Sequence, residues 1–359
     1  MEFQCKTKII SGAGSLAGLK TLGIRKLFLV TDPYFAQNGT AAKLQQLSGA
    51  EQVVLFDKVT PDPTVEQVAE ATGKLREQQP DTLIALGGGS SMDLGKAVAY
   101  FAGFPLRTVM IPTTSGSGSE VTDFAVLTRE NVKYPLVSEA LRPAVAILDS
   151  DLLESLPKSL IADCGFDVLG HALEAYTAKN ANPFTDALAG SAFRRVLEDL
   201  PGSYAGDLSV RLGIHQASTM AGLAFTQAGL GLCHALAHSL GGLFHLPHGR
   251  LIAILLPGVI TCNAKLCARR YGELARSAGI PGAANTVAVR NLTNALIRLR
   301  KNLNMPGSLK EAGVDPRQVQ QQTEHIVQTT LSDPCCRTAP GIPDGEQVRK
   351  LLEAVTARG

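Results

Sequence analysis

The chain has 359 residues, of which 45% are hydrophobic and 18% charged, and its net charge is +2. This balance is that of a globular protein and excludes a disordered chain, and at about 100–200 residues per domain the length predicts two or three domains. With 34 basic residues, 32 acidic ones and no tryptophan, the sequence offers neither a basic stripe nor a stacking platform for nucleic acid. We therefore expect no nucleic-acid partner.

Signals for export or membrane insertion are absent from the pattern of apolar residues. The longest apolar run, residues 251–256, is too short to cross a bilayer, and the first residues lack the apolar core of a signal peptide. The seven cysteines are odd in number, and their spacing fits neither a disulfide framework nor a zinc knuckle. We expect a cytoplasmic protein with reduced thiols, including the adjacent Cys335 and Cys336, and without membrane contact.

In the first half of the chain, short apolar runs alternate with polar amphipathic stretches. The runs at 26–31, 52–56, 82–86, 108–111 and 145–148 predict strands, and residues 64–79 and 92–101 predict helices. Continuous apolar strands separated by helices are typical of a parallel sheet that is covered on both faces. The sequence predicts a doubly wound, Rossmann-like α/β domain over residues 1–154.

The second half has a different pattern. Apolar residues recur at i, i+3 and i+4 over 161–178, 184–200, 211–243, 264–277 and 287–303, and the strand signals fade. Glycine and proline separate these stretches. This pattern predicts an all-helical domain over residues 155–359.

Two loops rich in glycine and hydroxyl groups follow predicted strands of the first domain. One runs from Gly87 to Ser91 and precedes a helix, and the other runs from Pro112 to Glu120. Glycine allows close backbone approach, and a helix N-terminus offers free N–H groups to phosphate. Either loop alone could be a plain turn, but two at one sheet edge favour the pyrophosphate of a dinucleotide. Asp32 ends the first strand, where a carboxylate would bind ribose hydroxyls and favour NAD over NADP, or would cap a helix before Pro33.

Histidines are concentrated in the second domain, with six of the seven between residues 171 and 248. Asp167 and His171 are four residues apart in a helical stretch, as are His234 and His238 in another, so each pair shares a helix face. With His248 in a following turn, a carboxylate and three imidazoles could bind Fe(II), Zn(II), Ni(II) or Mn(II). Buried polar pairs without metal are the alternative. Of the three remaining histidines, His215 and His325 lie in polar surroundings and are expected at the surface.

A dinucleotide beside a single metal predicts metal-assisted hydride transfer between an alcohol and a nicotinamide, with a spare histidine passing the proton to solvent. At this point the sequence resembles the iron-dependent (group III) alcohol dehydrogenases along nearly the whole chain. It is most similar to the short 1-propanol and ethanol dehydrogenases of bacterial microcompartments. The matching motifs are Pro61-Asp62-Pro63-Thr64, Gly87-Gly88-Gly89-Ser90-Ser91-Met92-Asp93 with Lys96, Pro112 to Thr122, Asp167-x-x-x-His171-x-x-Glu174, His234-x-x-x-His238 and His245-Leu246-Pro247-His248-Gly249.

The resemblance implies a role for each matching residue. It implies Asp167, His171, His234 and His248 as metal ligands, and leaves His238 as the proton relay or a residue of the substrate pocket. Asp93 and Lys96 are expected to orient the glycine loop. The implied cofactor-binding positions are Asp32, Asp62, Gly88, Gly89, Ser90, Thr113, Thr114, Ser117, Val121 and Lys133.

The resemblance also implies the cofactors, the substrate and the partners. The cofactors would be NAD and Fe(2+), with Zn(2+) or another divalent metal as the alternative. The substrate would be a short-chain primary alcohol or its aldehyde, such as propanal or acetaldehyde. A homodimer is expected, in the cytoplasm or inside a microcompartment, where shell proteins or partner enzymes would be its partners.

Some positions depart from the family pattern. Cys164 and Gly170 replace threonines near the first ligands, and Thr338-Ala339-Pro340-Gly341 replaces a usual Asn-Pro-Arg. The Gly170 change puts the support of His171 in question. Alternative functions are a glycerol or polyol dehydrogenase, a maleylacetate-reductase-like enzyme, a dehydroquinate-synthase-type cyclase, and a catalytically idle microcompartment-associated homologue. The cyclase is disfavoured because residues 234–256 contain a single basic residue, Arg250.

Overall fold

The computed structural model describes residues 3–130 and 132–356. The chain divides into two compact units, one of residues 4–156 and one that begins at Pro157 and also includes Phe3.

The first unit is built on a six-stranded parallel sheet in the order β1-β8-β5-β4-β2-β3. Strands β6 and β7 form a separate antiparallel hairpin. The strand bounds are β1 Lys8–Ser11, β2 Lys26–Thr31, β3 Gln52–Phe56, β4 Thr82–Gly87, β5 Arg107–Pro112, β6 Phe124–Arg129, β7 Val132–Val137 and β8 Val145–Leu148.

Both faces of the sheet are covered by helices. Successive residues of a strand point to opposite faces, and in β2 and β4 both sets are apolar and buried. Phe28 and Leu83 lie in the core cluster beside α3 and α4, whereas Leu29 and Ile84 lie in the cluster beside α2. The predicted doubly wound fold is confirmed. The helices of this unit are α1 Pro33–Gln37, α2 Thr40–Ser48, α3 Val65–Gln78 and α4 Gly89–Tyr100.

The second unit consists of helices, and no strand occurs in its described part. Its helices are α5 Lys158–Thr177, α6 Pro183–Ala205, α7 Arg211–Ala228, α8 Leu232–Phe244, α9 His248–Ser277, α10 Asn285–Asn302, α11 Pro316–Ser332, α12 Cys335–Thr338 and α13 Gly345–Thr356.

Two helix boundaries differ from the sequence prediction. The helical stretch predicted over 211–243 forms two helices, because the chain breaks between α7 and α8 at Gly229, whose φ is +86°. A Cβ at this glycine would lie 2.3 Å from the Thr338 hydroxyl, so both its conformation and its packing require glycine. Helix α9 begins at His248 rather than at residue 264, and it includes the apolar run 251–256.

Helix α9 has the length and apolar composition of a membrane-spanning helix. Its residues Leu251, Ile252 and Leu255 are fully buried within this unit, where α9 packs against α5, α8 and α10. Core helices of globular proteins meet the same length and composition criteria. Its apolar stretch therefore forms core here.

Candidate metal centre and nucleotide-binding loops

The two glycine-rich loops lie side by side in the first unit. They follow β4 and β5, which are neighbouring parallel strands, and the Thr113 N–H donates to the Gly87 carbonyl at 2.9 Å. A Cβ on Gly89 would lie 3.3 Å from the Ser117 hydroxyl, so the loops approach each other without room for larger side chains. Gly88 and Gly89 are the N-cap and first residue of α4, which begins three residues earlier than predicted. Their backbone N–H groups are therefore those that a helix N-terminus offers to an anion.

Asp32 lies next to the first loop. It ends β2 and caps α1, where its Oδ1 accepts from the Phe35 N–H at 3.1 Å. The Oδ2 atom lies 3.5 Å from the position of a Cβ on Gly87. The capping role considered from the sequence is therefore present, and the second carboxylate oxygen lies beside the loop.

The structure also joins two polar residues that are far apart in sequence. Lys133 on β7 forms an ion pair with Asp62 at 2.7 Å, and the Asp62 N–H donates to the Ser90 hydroxyl at 3.3 Å. Asp62 adopts a left-handed conformation with φ +56°. These three predicted cofactor-binding residues therefore form one cluster at the start of α4. Of the other predicted positions, Thr113 and Val121 are buried, with exposures of 2% each, and Thr114 lies across from Gly88.

Asp93 and Lys96 hold the second loop from the side of α4. The Ser119 hydroxyl donates to Asp93 at 2.6 Å, and the fully buried Lys96 ammonium donates to the Ser119 carbonyl at 3.0 Å and the Thr122 hydroxyl at 2.9 Å. A buried ammonium needs such partners, because an unpaired buried charge costs several kcal/mol. This arrangement favours the role in orienting the loop that the resemblance suggested for both residues.

In the second unit, helices α5, α8 and α9 bring four predicted ligands together. Asp167 and His171 lie one turn apart on α5, His234 lies in the first turn of α8, and His248 is the first residue of α9. Asp167 Oδ1 lies 3.8 Å from Nε2 of His171, 3.8 Å from Nε2 of His234 and 3.4 Å from Nε2 of His248. Three imidazoles on three helices thus present the same nitrogen to one carboxylate oxygen.

These distances fit a small divalent metal better than hydrogen bonds. They exceed normal hydrogen-bond lengths, and Asp167 Oδ1 and His234 Nε2 are buried without a hydrogen-bond partner among the described residues. A tetrahedral ion bound at about 2.0–2.2 Å separates its ligands by about 3.3–3.6 Å. Two buried polar atoms in this state would be costly without a ligand. The donor set, one carboxylate and three imidazoles, suits iron(II) as well as zinc.

The pKa values of the titratable groups in this cluster are shifted in different directions. Burial lowers the pKa of His171 to about 4 and that of His248 well below its usual range, so both rings are neutral and able to bind a metal. Burial alone would raise the pKa of Asp167, but the neighbouring imidazoles outweigh it and keep the carboxylate ionised. Burial also opposes charge on His234, but the neighbouring carboxylates of Asp167 and Glu174 raise its pKa to about 9.

Glu174 is a site residue to which the sequence motif gave no role. It lies on α5, two turns after Asp167, and its carboxylate accepts from the N–H groups of Gly231 at 2.9 Å and Cys233 at 2.7 Å. The same carboxylate lies 2.6 Å from Nδ1 of His234. Glu174 therefore caps the start of α8 and directs Nε2 of His234 toward Asp167. These contacts of Glu174 do not involve Gly170, the position that departs from the family pattern. A Cβ at Gly170 would lie 2.5 Å from the Ile252 side chain.

The start of α9 is fixed against α5. A Cβ on Gly249 would lie 1.9 Å from the Asp163 carbonyl oxygen, so only glycine allows this approach. Arg250 also reaches across to the Asp163 carboxylate, with contacts of 2.9 and 3.3 Å. Because Asp163 lies one turn before Asp167 on α5, these contacts hold His248 beside Asp167.

His238 lies beside this cluster, with its ring 5.3 Å from the ring of His248 between centroids. Its Nδ1 contacts the carboxylate of Asp333 at 2.9 Å, and its side chain is 35% exposed. His238 therefore lies beside the four residues predicted as ligands, and its role stays a prediction. The surface prediction was wrong for His215, which is 1% exposed in α7, because its polar neighbours Arg211, Ser218 and Thr219 share its helix face and are buried with it.

Two family profiles together match most of the chain. The profile described as iron-containing alcohol dehydrogenase matches residues 6–150, and the C-terminal profile of the Fe-containing alcohol dehydrogenase family matches residues 161–356. The chain belongs to the iron-containing alcohol dehydrogenase family. The predictions of the family, of an alcohol dehydrogenase, and of NAD and iron as the cofactor classes are thereby confirmed.

Individual members of the family are similar along their whole length. The 1-propanol dehydrogenase PduQ of Citrobacter freundii is 41% identical, with 98% of this chain and 99% of that protein covered. The NADPH-dependent butanol dehydrogenase of Clostridium saccharobutylicum is 36% identical over 99% and 98% of the two chains. The iron-containing alcohol dehydrogenase of Thermococcus thioreducens has a similar structure, with a TM-score of 0.92, 34% identity and 99% of both chains covered.

Proposed function

We propose that this protein uses NADH and iron to reduce a short-chain aldehyde such as propanal to its primary alcohol, and catalyses the reverse reaction with NAD. The observation that carries the proposal is the convergence of three imidazole nitrogens on Asp167 Oδ1, where two buried atoms lack hydrogen-bond partners. The similarity to PduQ, named as a 1-propanol dehydrogenase, supports a short aliphatic substrate.

The ligands in this proposal are Asp167, His171, His234 and His248. A divalent metal held there polarises a carbonyl oxygen and lowers the pKa of an alcohol. Glu174 orients His234 through its Nδ1 atom at 2.6 Å. His238, half-exposed and held by Asp333, passes the proton between the substrate oxygen and solvent.

The first unit would bind the dinucleotide. The N–H groups at the start of α4 and the second loop would hold the pyrophosphate, and Lys133 and Asp62 would lie beside them. Asp32 would accept from a ribose and repel a 2′-phosphate, which favours NAD over NADP. Because one relative is named an NADPH-dependent butanol dehydrogenase, the preference of this chain for NAD has to be measured directly.

Activity and metal dependence can be tested together. The protein, purified without oxygen and loaded with Fe(II), is expected to consume NADH when propanal is added, and a chelator should abolish the reaction. Turnover of glycerol or a hydroxy acid instead of propanal, with iron bound, would favour the polyol or maleylacetate-reductase-like alternative. A failure to take up iron would contradict the ligand assignment and favour a catalytically idle homologue.

We further propose a homodimer and an association with a bacterial microcompartment. Both proposals rest on the resemblance to microcompartment 1-propanol dehydrogenases, to which the PduQ similarity adds support. Analytical ultracentrifugation tests the dimer. Co-purification with shell proteins or partner enzymes from the producing cell tests the association, and recovery of the protein alone would contradict it.

A further inference from the structure

Beside the four-ligand centre lies a second group of metal-binding side chains, formed by His238, Asp333 and Cys335. His238 comes from α8, Asp333 follows α11, and Cys335 begins α12. One donor atom from each residue lies within 4.8 Å of the other two. Two helix ends and one helix face therefore supply an imidazole, a carboxylate and a thiol at a single point.

The segment that carries Asp333 and Cys335 is fixed in place. The Cys335 N–H donates to Asp333 Oδ1 at 2.8 Å, and the Thr338 hydroxyl donates to the Leu230 carbonyl at 2.8 Å. Asp333 Oδ2 in turn lies 2.9 Å from Nδ1 of His238. Because the backbone is already ordered, small side-chain rotations suffice to reach the ligand separations of about 3.3–3.6 Å that a tetrahedral zinc ion requires.

The chemistry of this group differs from that of the first centre. A thiolate is a soft ligand that favours zinc or cadmium, whereas one carboxylate and three imidazoles also suit iron(II). Access is similar at the two groups, because the side chains of His238 and His248 are 35% and 34% exposed. An ion from solvent can therefore reach either group, and the thiol distinguishes the second from the first.

We propose that His238, Asp333 and Cys335 form a second, thiophilic metal site for an ion such as Zn(2+) or Cd(2+), and that its occupation inhibits the dehydrogenase. Binding replaces the S–H bond of Cys335 with a metal–sulfur bond and releases the thiol proton to water, with no change in oxidation state. The ion also takes Nδ1 of His238 from Asp333, and the proton of this nitrogen passes through water to Nε2 of the same neutral ring. Only the inhibition rests on the proposed function, in which His238 relays the proton.

Cadmium reports on this site directly, because cadmium thiolates absorb in the ultraviolet. The iron-loaded protein is titrated with Cd(2+), and three quantities are followed: the thiolate absorption, the iron retained after gel filtration, and the rate of NADH consumption relative to each variant's own rate without cadmium. The variants are Cys335→Ser and the matched control Cys336→Ser. The Cys336 thiol is not among these donor atoms and donates instead to the Thr330 carbonyl at 3.1 Å.

We expect the wild type and Cys336→Ser to gain the absorption up to one cadmium per chain, to lose activity in parallel and to retain iron. Cys335→Ser should lack the absorption and need at least about tenfold more cadmium for half-inhibition, because even outer-sphere changes at metal sites cost about 10–100-fold in affinity. An unchanged absorption in Cys335→Ser, or loss of iron as cadmium binds, would overturn the second site. A cadmium site in a protein without dehydrogenase activity would instead refute the proposed function and leave the site standing.

Discussion

Replacing Glu174 with glutamine tests whether one residue both caps α8 and orients a metal ligand. Glutamine has nearly the same volume, but one of its oxygens becomes an NH₂ group. Both carboxylate oxygens accept from N–H groups, Oε1 from Cys233 at 2.7 Å and Oε2 from Gly231 at 2.9 Å and His234 at 3.3 Å. Either orientation of the amide therefore places an N–H group against another N–H group.

The expected loss has two parts. A charge-assisted hydrogen bond contributes about 1.5–3 kcal/mol, so we expect the unfolding free energy of the metal-free Glu174→Gln variant to fall by about that amount. The contact of Glu174 with Nδ1 of His234 is an outer-sphere contact to a ligand, and its loss should weaken iron binding by about 10–100-fold.

Two measurements separate these effects. Urea unfolding of the metal-free protein gives the stability, and anaerobic competition with a coloured chelator gives the iron affinity. Glu198→Gln, an exposed position on α6, is the matched control and should change neither quantity. A variant of Glu174 with lower stability but wild-type iron affinity would mean that the residue only caps the helix, and the reasoning about His234 would be refuted.

Three other perturbations test neighbouring parts of the structure. Gly249→Ala should lower Tm in thermal unfolding and the iron content in metal analysis, because its Cβ would lie 1.9 Å from the Asp163 carbonyl oxygen. Gly242→Ala is the control and should change neither quantity, because the space around Gly242 is open. Asp32→Ser should raise the ratio of kcat/KM for NADPH to kcat/KM for NADH by about tenfold. This factor corresponds to about 1.4 kcal/mol of repulsion between the carboxylate and the 2′-phosphate that the substitution removes. An unchanged ratio would contradict the proposed role of Asp32. Since the pKa of His234 is raised to about 9 without metal, iron must displace its proton, so chelator competition should show affinity rising with pH and levelling near pH 9. In the metal-free protein, the stability that this proton contributes is fully present below pH 6.5 and is lost as pH rises through about 9, which urea unfolding can measure.

The α/β unit was largely predictable because its central strands are buried on both faces and read as continuous apolar runs. All five predicted strands occur in the sheet. Strand β1 was missed because it has four residues and only two are apolar, and the β6–β7 hairpin was missed because charged residues interrupt it. The break between α7 and α8 was missed for another reason. The helical period continues across Gly229, and the contact that fixes this glycine comes from Thr338, far along the chain.

The proposed metal centre was predictable in its residue types but not in its geometry. The i, i+4 spacing brings His234 and His238 to one face of α8 and does not say which ring meets Asp167. The contact of Glu174 with the start of α8 decides this by directing His234 inward. His238 instead meets Asp333, 95 residues later, a pairing for which the local sequence carries no signal. Long-range side-chain contacts, and not the spacing in the sequence, therefore determine which histidine faces Asp167.

The position of β1 has a consequence for how the first unit is assembled on the ribosome. Lys8–Ser11 is synthesised first, yet its parallel partner in the sheet is β8, at Val145–Leu148. Until that partner has left the exit tunnel, β1 has no neighbour, since it is an edge strand that contacts β8 alone within the sheet. Pairing across so long a stretch of chain is slow compared with local folding. The nascent chain therefore carries an unpaired strand for most of the synthesis of this unit, and the pairing of β1 with β8 completes the sheet at that edge.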